Sequence, residues 1–153
     1  SVSIREVKLA HMVEEVFASL SSKAAAREIV LVNEITEGVR VNADPARLEQ
    51  MLTNLIDNAI KFNRVNGRVT VSYDQNLGRD TIAITDTGEG IMGDHLHRVF
   101  ERFYRADRGR TREVGGTGLG LAIVKHLARL HGGEVSVAST LGTGTVFTIE
   151  LPA

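Results

Sequence analysis

One stretch restricts the fold more than any other: DPARLEQMLTNLIDNAIKFN, residues 44–63. Leu48, Met51, Leu52, Leu55, Ile56 and Ala59 recur at i, i+3, i+4, i+7, i+8 and i+11, one continuous apolar stripe with helical period. Asp44 supplies an N-cap and Pro45 a favourable first residue, so the spacing predicts a helix over 45–63. A second stripe shares this helix. Asn54, Asn58 and Lys61 fall at i, i+4 and i+7, away from the apolar face. A solvated face more often carries Glu and Lys, and Asn is a poor helix former, so propensity does not explain the two amides. The Asn58 amide oxygen can ligate Mg²⁺ while waters and substrate phosphates complete the shell, and Lys61 can meet a phosphate as a point charge.

A helix with one apolar stripe has to bury it against another layer. Residues 7–26 read as a second helix, with Leu9, Met12, Val13, Val16, Phe17 and Leu20 at helical spacing. IVLVN (29–33) and GVRVN (38–42) read as short strands. RVTVSYD (68–74) and DTIAITDTG (80–88) alternate like paired strands around a turn at 75–78. DHLHRVFERFYR (94–105) reads as a short helical piece inside a long irregular region, and a third main helix stops at Gly132-Gly133. EVSVAS (134–139) and TVFTIEL (145–151) close the chain as a hairpin. The pattern predicts an α/β fold: a two-layer sandwich, three main helices on a mixed sheet of five or six strands, forming one domain over 1–153.

Composition narrows the partners. The 153 residues are 42 % hydrophobic and carry a formal charge of -1, which suits a globular domain with a real core. The 18 basic residues are not gathered into one block, so no nucleic-acid partner is expected. With no cysteine there is no disulfide, thiolate zinc site or thiol nucleophile. No apolar run approaches the roughly 18 residues that span a bilayer, so no direct membrane contact is expected. The opening SVSIREVK lacks an initiator methionine and starts in mid-pattern, as expected of a domain excised from a longer chain.

EVGGTGLGLAIVKHL (113–127) places Gly115, Gly116, Gly118 and Gly120 just before a helix. It has no Gly-Lys-Ser/Thr for a P-loop, and neither the spacing nor the preceding strand of a dinucleotide fingerprint. Two readings stay open for this segment alone: a flexible glycine loop entering a helix, or a loop whose N–H groups hold an anion. Asp86 ends a strand and opens DTGEG, where a carboxylate can accept from an exocyclic amine and Gly88 and Gly90 let a flat ring approach; a plain turn is the simpler account.

Taken together, NLIDNAIKF (54–62), DTGEGI (86–91), RVFERFYRAD (98–107), GGTGLGLAIVKHL (115–127) and GTGTVF (142–147) closely resemble, in order, the N box, two glycine boxes, F box and final glycine turn of bacterial sensor histidine kinases. The resemblance implies the Bergerat ATP-binding sandwich, with ATP between the N-box helix and a flexible lid. Asn58 would then be the Mg²⁺ ligand and Lys61 a phosphate contact. Asp86 would read the adenine amino group, while Gly88, Gly90 and Ile91 shape the adenine slot. Phe62 stands where the family often has Tyr and would wall the site without a hydroxyl. Tyr104 and Arg105 close the F box, Arg105 as the lid arginine facing the γ-phosphate. Gly116, Thr117, Gly118, Leu119, Gly120 and Leu121 would offer backbone N–H groups, and Thr145 would lie beneath the adenine. The lid over 91–114 is expected to order only with nucleotide.

Related ATPases and anti-sigma-type serine kinases resemble one another in carrying a general-base Glu one turn before the magnesium Asn. Here that position is Asn54, which cannot take up a proton at neutral pH. The resemblance therefore implies transfer of the γ-phosphoryl of ATP, with Asn54, Lys61 and Arg105 in the catalytic set, to an already competent histidine. That histidine is expected on a separate dimerising helical domain, and an aspartate of a response regulator receives the phosphoryl group next. A stand-alone ATPase, a serine kinase of the superfamily and a degenerate ATP-binding module remain alternatives. His11 lacks the family's acceptor context and is expected to be structural or on the surface; His95, His97, His126 and His131 are expected as surface or capping residues, His131 suiting a helix C-terminus by its charge. A cytoplasmic location and a monomeric isolated domain are expected.

Overall fold

A computed structural model describes residues 1–102, 104 and 120–153. Along the chain run β1 (Arg5–Lys8), α1 (Leu9–Ala26), β2 (Val30–Asn33), β3 (Arg40–Ala43), α2 (Pro45–Lys61), β4 (Arg68–Asn76), β5 (Arg79–Asp86), α3 (Gly93–Leu96), α4 (Gly120–Leu130), β6 (Glu134–Thr140) and β7 (Gly144–Pro152). Five strands form a mixed sheet in the order β2-β4-β5-β7-β6; β2 and β4 are parallel and the other neighbours antiparallel. β1 and β3 pair separately as an antiparallel ribbon. This is the two-layer α/β sandwich that the alternation of helices and hairpins predicts.

The strands alternate, so one sheet face is apolar and the helices cover it. Cross-strand register lines that face up in rows. Tyr73, Ile82, Ile149 and Val135 form one row, and Val71, Ile84, Phe147 and Val137 the next. A third, at the end of the sheet, is Val69, Asp86, Thr145 and Ser139, and here the apolar surface turns polar. Leu48, Met51, Leu52, Leu55 and Ile56 of α2 are fully buried over this sheet, as their stripe requires.

Asp44 anchors α2 in three directions. Its Oδ1 accepts from the Arg47 N–H (3.2 Å) as an N-cap, its Oδ2 from the Ser3 N–H (2.9 Å), and its own N–H donates to His131 Nε2 (3.0 Å). The Ser3 bond is the largest cause holding the Asp44 carboxyl below its ordinary value. His131 differs from the expectation. It is buried, and its Nδ1 stands 2.7 Å from the Leu127 carbonyl. With Nε2 accepting and Nδ1–H donating, the ring is neutral and bridges two elements rather than capping a helix end by charge.

The other differences concern element ends. Val7 lies in β1, so the first helix starts at Leu9; a four-residue strand with two basic ends has little pattern of its own and exists because β3 pairs with it. The α2 helix stops at Lys61 with Phe62 as its C-cap, because the Asn63 side chain is drawn into other bonds. Of the expected helical piece over 94–105, only the Gly93–Leu96 turn is regular among the described residues. The β4–β5 turn is tighter than 75–78, with Leu77 and Gly78 at φ 52° and 75°. No helix among the described residues is long and apolar enough to cross a membrane.

Candidate nucleotide-binding site

The polar stripe of α2 emerges where α2 meets the start of α4. Asn54, Asn58 and Lys61 are all half-buried. Asn54 Nδ2 donates to the Gly120 carbonyl at 3.3 Å, tying the N-box helix to the first residue of α4. The Asn58 side chain makes no hydrogen bond among the described residues, although its backbone carbonyl accepts from the Phe62 N–H at 3.1 Å. A half-buried amide oxygen without a partner among the described residues fits a metal ligand that shares its ion with substrate oxygens. No cluster of three or more acidic, His or Cys ligands exists among the described residues, so such an ion would depend on the substrate for much of its shell. Lys61 pairs with Asp57 (3.1 Å), which also meets Lys23 of α1 (3.3 Å).

The other end of the site is the polar row of the sheet. Asp86 is buried, and its Oδ1 accepts from the N–H groups of Gly88 (2.8 Å) and Thr145 (3.2 Å). Its Oδ2 accepts nothing among the described residues. Burial raises the carboxyl's pKa, and the two N–H bonds oppose that rise only in part. An anionic carboxylate kept dry with one free oxygen is costly unless a donor reaches it, which is what a ligand amine would do.

Gly88 and Gly90 stand beside this carboxylate, and protein backbone accounts for the missing side chains. A Cβ on Gly88 would lie 2.6 Å from the Phe62 carbonyl oxygen, and one on Gly90 would overlap the Thr140 carbonyl. The loop after β5 is thus clamped between the end of α2 and the β6–β7 turn, with Gly142 N–H donating to the Glu89 carbonyl at 2.7 Å. Ile91 is half-buried on the core, and its N–H donates to Ser139 Oγ at 2.8 Å. Thr145 is buried directly opposite Asp86.

Tyr104 is half-buried, but its described contacts are local. Its hydroxyl meets His95 Nδ1, and Arg98 lies 4.5 Å over its ring. Leu121, one residue into α4, packs half-buried against the core. Arg105, Gly116, Thr117, Gly118 and Leu119, and residues 103 and 105–114 of the expected lid over 91–114, lie outside the described residues.

Three further residues contribute to the site without a sequence motif of their own. Asn63 is fully buried; its Nδ2 donates to the Arg68 carbonyl (3.0 Å) and its Oδ1 accepts from Arg64 N–H (2.8 Å) and Thr87 Oγ1 (3.1 Å). It fastens the end of α2 to the loop bearing Gly88. Thr87 Oγ1 in turn accepts from Arg68 N–H at 2.9 Å. Ser139 is the third, and counting by twos from Val135 and Val137 would have put it on the inward face.

Residues 43–153 match the family model described as histidine kinase-, DNA gyrase B-, and HSP90-like ATPase. The chain belongs to that family. Sensor protein SrrB of Staphylococcus aureus (strain NCTC 8325 / PS 47) is 48 % identical over 109 residues, covering 71 % of this chain and 19 % of SrrB. The chain thus spans about a fifth (19 %) of the length of the curated relatives it matches. The catalytic domain of the histidine kinase ThkA superposes with a TM-score of 0.83 at 26 % identity, over 99 % of this chain and 98 % of that one. ThkA has also been solved in complex with response regulator protein TrrA (TM-score 0.79, 26 % identity, 97 % of this chain and 41 % of that one). Full-length ShkA in complex with AMPPNP gives 0.85 at 32 % identity, over 99 % of this chain and 31 % of that one. Within the family, this domain is homologous to sensor histidine kinase catalytic domains and has their fold.

Proposed function

We propose that the domain binds Mg·ATP between α2 and the lid segment and passes the γ-phosphoryl group to a histidine on a separate helical domain of the same kinase. In the transfer the imidazole nitrogen forms a bond to the γ-phosphorus, the bond from that phosphorus to the β–γ bridging oxygen breaks, and ADP leaves. Asn58 would hold the metal, whose positive charge offsets that of the phosphate oxygens. Asp86 takes the adenine amine, and Lys61 turns from Asp57 to the phosphates. The α4 start is held to α2 by Asn54.

The observation that carries this choice within the family is the identity and engagement of Asn54. Its amide donates to Gly120, and no carboxylate stands there to activate water. A nucleophile that needs no base, such as a neutral imidazole, suits that arrangement. The phosphoryl group would go on to an aspartate of a response regulator, by analogy with the ThkA–TrrA complex. A cytoplasmic setting follows from the same analogy with sensor kinases.

Asn58→Ala is expected to abolish Mg-dependent phosphorylation of the kinase's helical domain supplied in trans. Wild-type transfer by this variant would remove Asn58 from the metal. Steady-state phosphate release should stay near background without the helical domain; sustained turnover would make the domain a stand-alone ATPase instead.

A further inference from the structure

The polar row at the end of the sheet contains more than Asp86 and Thr145. Ser139 pairs with Thr145 as Thr145 pairs with Asp86, so the three side chains form one line across β5, β7 and β6. Ser139 is also the most heavily bonded of the three. Its Oγ accepts from the Ile91 N–H (2.8 Å), contacts the Gly144 carbonyl (3.0 Å) and lies 2.9 Å from Thr145 Oγ1.

A hydroxyl has one proton and two lone pairs, and this limits how the bonds can be shared. The Gly144 carbonyl can only accept, so the Ser139 proton goes to it. The Ile91 N–H can only donate, so it takes one Ser139 lone pair. The remaining Ser139 lone pair is left for Thr145, which must therefore be the donor in the Ser139–Thr145 bond. The reverse assignment would deprive the carbonyl of buried Gly144 of this hydroxyl. With its proton committed to Ser139, Thr145 Oγ1 offers lone pairs only.

We propose that Ser139 is a positioning residue that fixes Thr145 as a hydrogen-bond acceptor and thereby makes the base end of the nucleotide site reject 6-oxopurines. Asp86 and Thr145 then present acceptors side by side. At position 6 a 6-aminopurine brings N–H donors to these acceptors, whereas a 6-oxopurine brings a third acceptor there and keeps only its N1–H as a donor on that edge. Without Ser139 the Thr145 hydroxyl can rotate and donate to a 6-oxo group, so discrimination falls. This rests on the assignment of Asp86 to the base.

The test is competition binding of ATP and inosine triphosphate, in which a 6-oxo group replaces the 6-amino group and N1 carries a proton in place of a lone pair. Ser139→Ala should lower the ATP-to-ITP affinity ratio by about tenfold, the value of one hydrogen bond of about 1.4 kcal/mol. Ser139→Thr, which keeps the hydroxyl, should restore it. Thr145→Ala should lower the ratio by a similar factor, and the double variant Ser139→Ala/Thr145→Ala should add little more, because both act on one hydroxyl. If Ser139→Ala does not fold, Ser139→Cys keeps the volume with a weak donor and should show the same direction. An unchanged ratio overturns the role of Ser139. A uniform loss for both nucleotides, matched by magnesium tripolyphosphate, also overturns it, because a merely structural residue would behave so. A wild-type domain that does not prefer ATP, or a preference untouched by Asp86→Asn, overturns the base-site assignment itself.

Discussion

Strand β5 carries two buried carboxylates on its inward face, one near each end, and they are held in opposite ways. Asp80 is 2 % exposed; its Oδ1 accepts from the Tyr73 hydroxyl (2.6 Å) and the Gln75 side-chain amide (3.2 Å). Those donors are neighbouring side chains, and they make the carboxylate a structural clasp between β4 and β5. Asp86 is 7 % exposed and, among the described residues, takes only backbone N–H groups, both on one oxygen. Among the described residues both carboxylates take their bonds on Oδ1, and what differs is the donor: side chains of the neighbouring strand at Asp80, main-chain N–H groups at Asp86. Similar burial thus goes with unlike support: a side-chain clasp at Asp80, and at Asp86 a main-chain cradle that suits the adenine contact proposed for it.

Exchanging each for its amide separates the two roles. Asp86→Asn should weaken ATP binding on the order of 100-fold, the cost of about 1–3 kcal/mol for a misplaced buried partner. Asp80→Asn should leave ATP affinity within about twofold while lowering the melting temperature, since a clasp far from the ligand affects stability alone. Calorimetric titration and thermal melts of both variants check this; comparable ATP losses would erase the distinction.

A smaller effect is expected from Tyr73→Phe, which leaves Asp80 with Gln75 only. The loss should be about 1–2 kcal/mol, or roughly 3–6 °C in melting temperature for a chain of this size. Burial first, then the Asp80 bond, pushes the Tyr73 hydroxyl up to about 12. A raised tyrosine pKa contributes stability that is complete below pH 10 and is lost as pH rises towards about 12. Denaturation curves of wild type should show that alkaline decline, and the Phe variant should show less of it.

The smallest effect has the opposite sign. Burial raises the Asp86 pKa, so ionising it disfavours the empty fold at all pH above its folded value, and this cost vanishes in acid below 3.8. Asp86→Asn should therefore melt slightly higher than wild type at pH 7 without nucleotide and converge with it at low pH. A variant that is less stable at pH 7 would mean that Asp86 is structural after all.

These contrasts bear on what the sequence could reveal. The α2 helix was legible because its evidence is local: an apolar stripe, an Asp-Pro start and an off-stripe set of amides. The chemical types at Asn58, Lys61 and Asp86 were legible for the same reason. Strand β1 was not, because four residues have no period until β3 pairs with them. The roles of Ser139 and Asn63 depend on strand register and on which carbonyls fall within reach, quantities that exist only once distant segments meet. His131 shows the same limit: its place before two glycines suggested a charged cap, whereas the Asp44 N–H, 87 positions away, makes it a neutral bridge.

Asp44 has a mechanical side as well. The segment at Ser3, the foot of α2 and the far end of α4 all hang on this single residue. The 17-residue α2 that leaves it is a stiff rod of about 25 Å, with Asn58 and Lys61 near its tip. A pull at Ser3 is therefore delivered at the pivot of a lever whose other end carries the residues proposed to meet the phosphates.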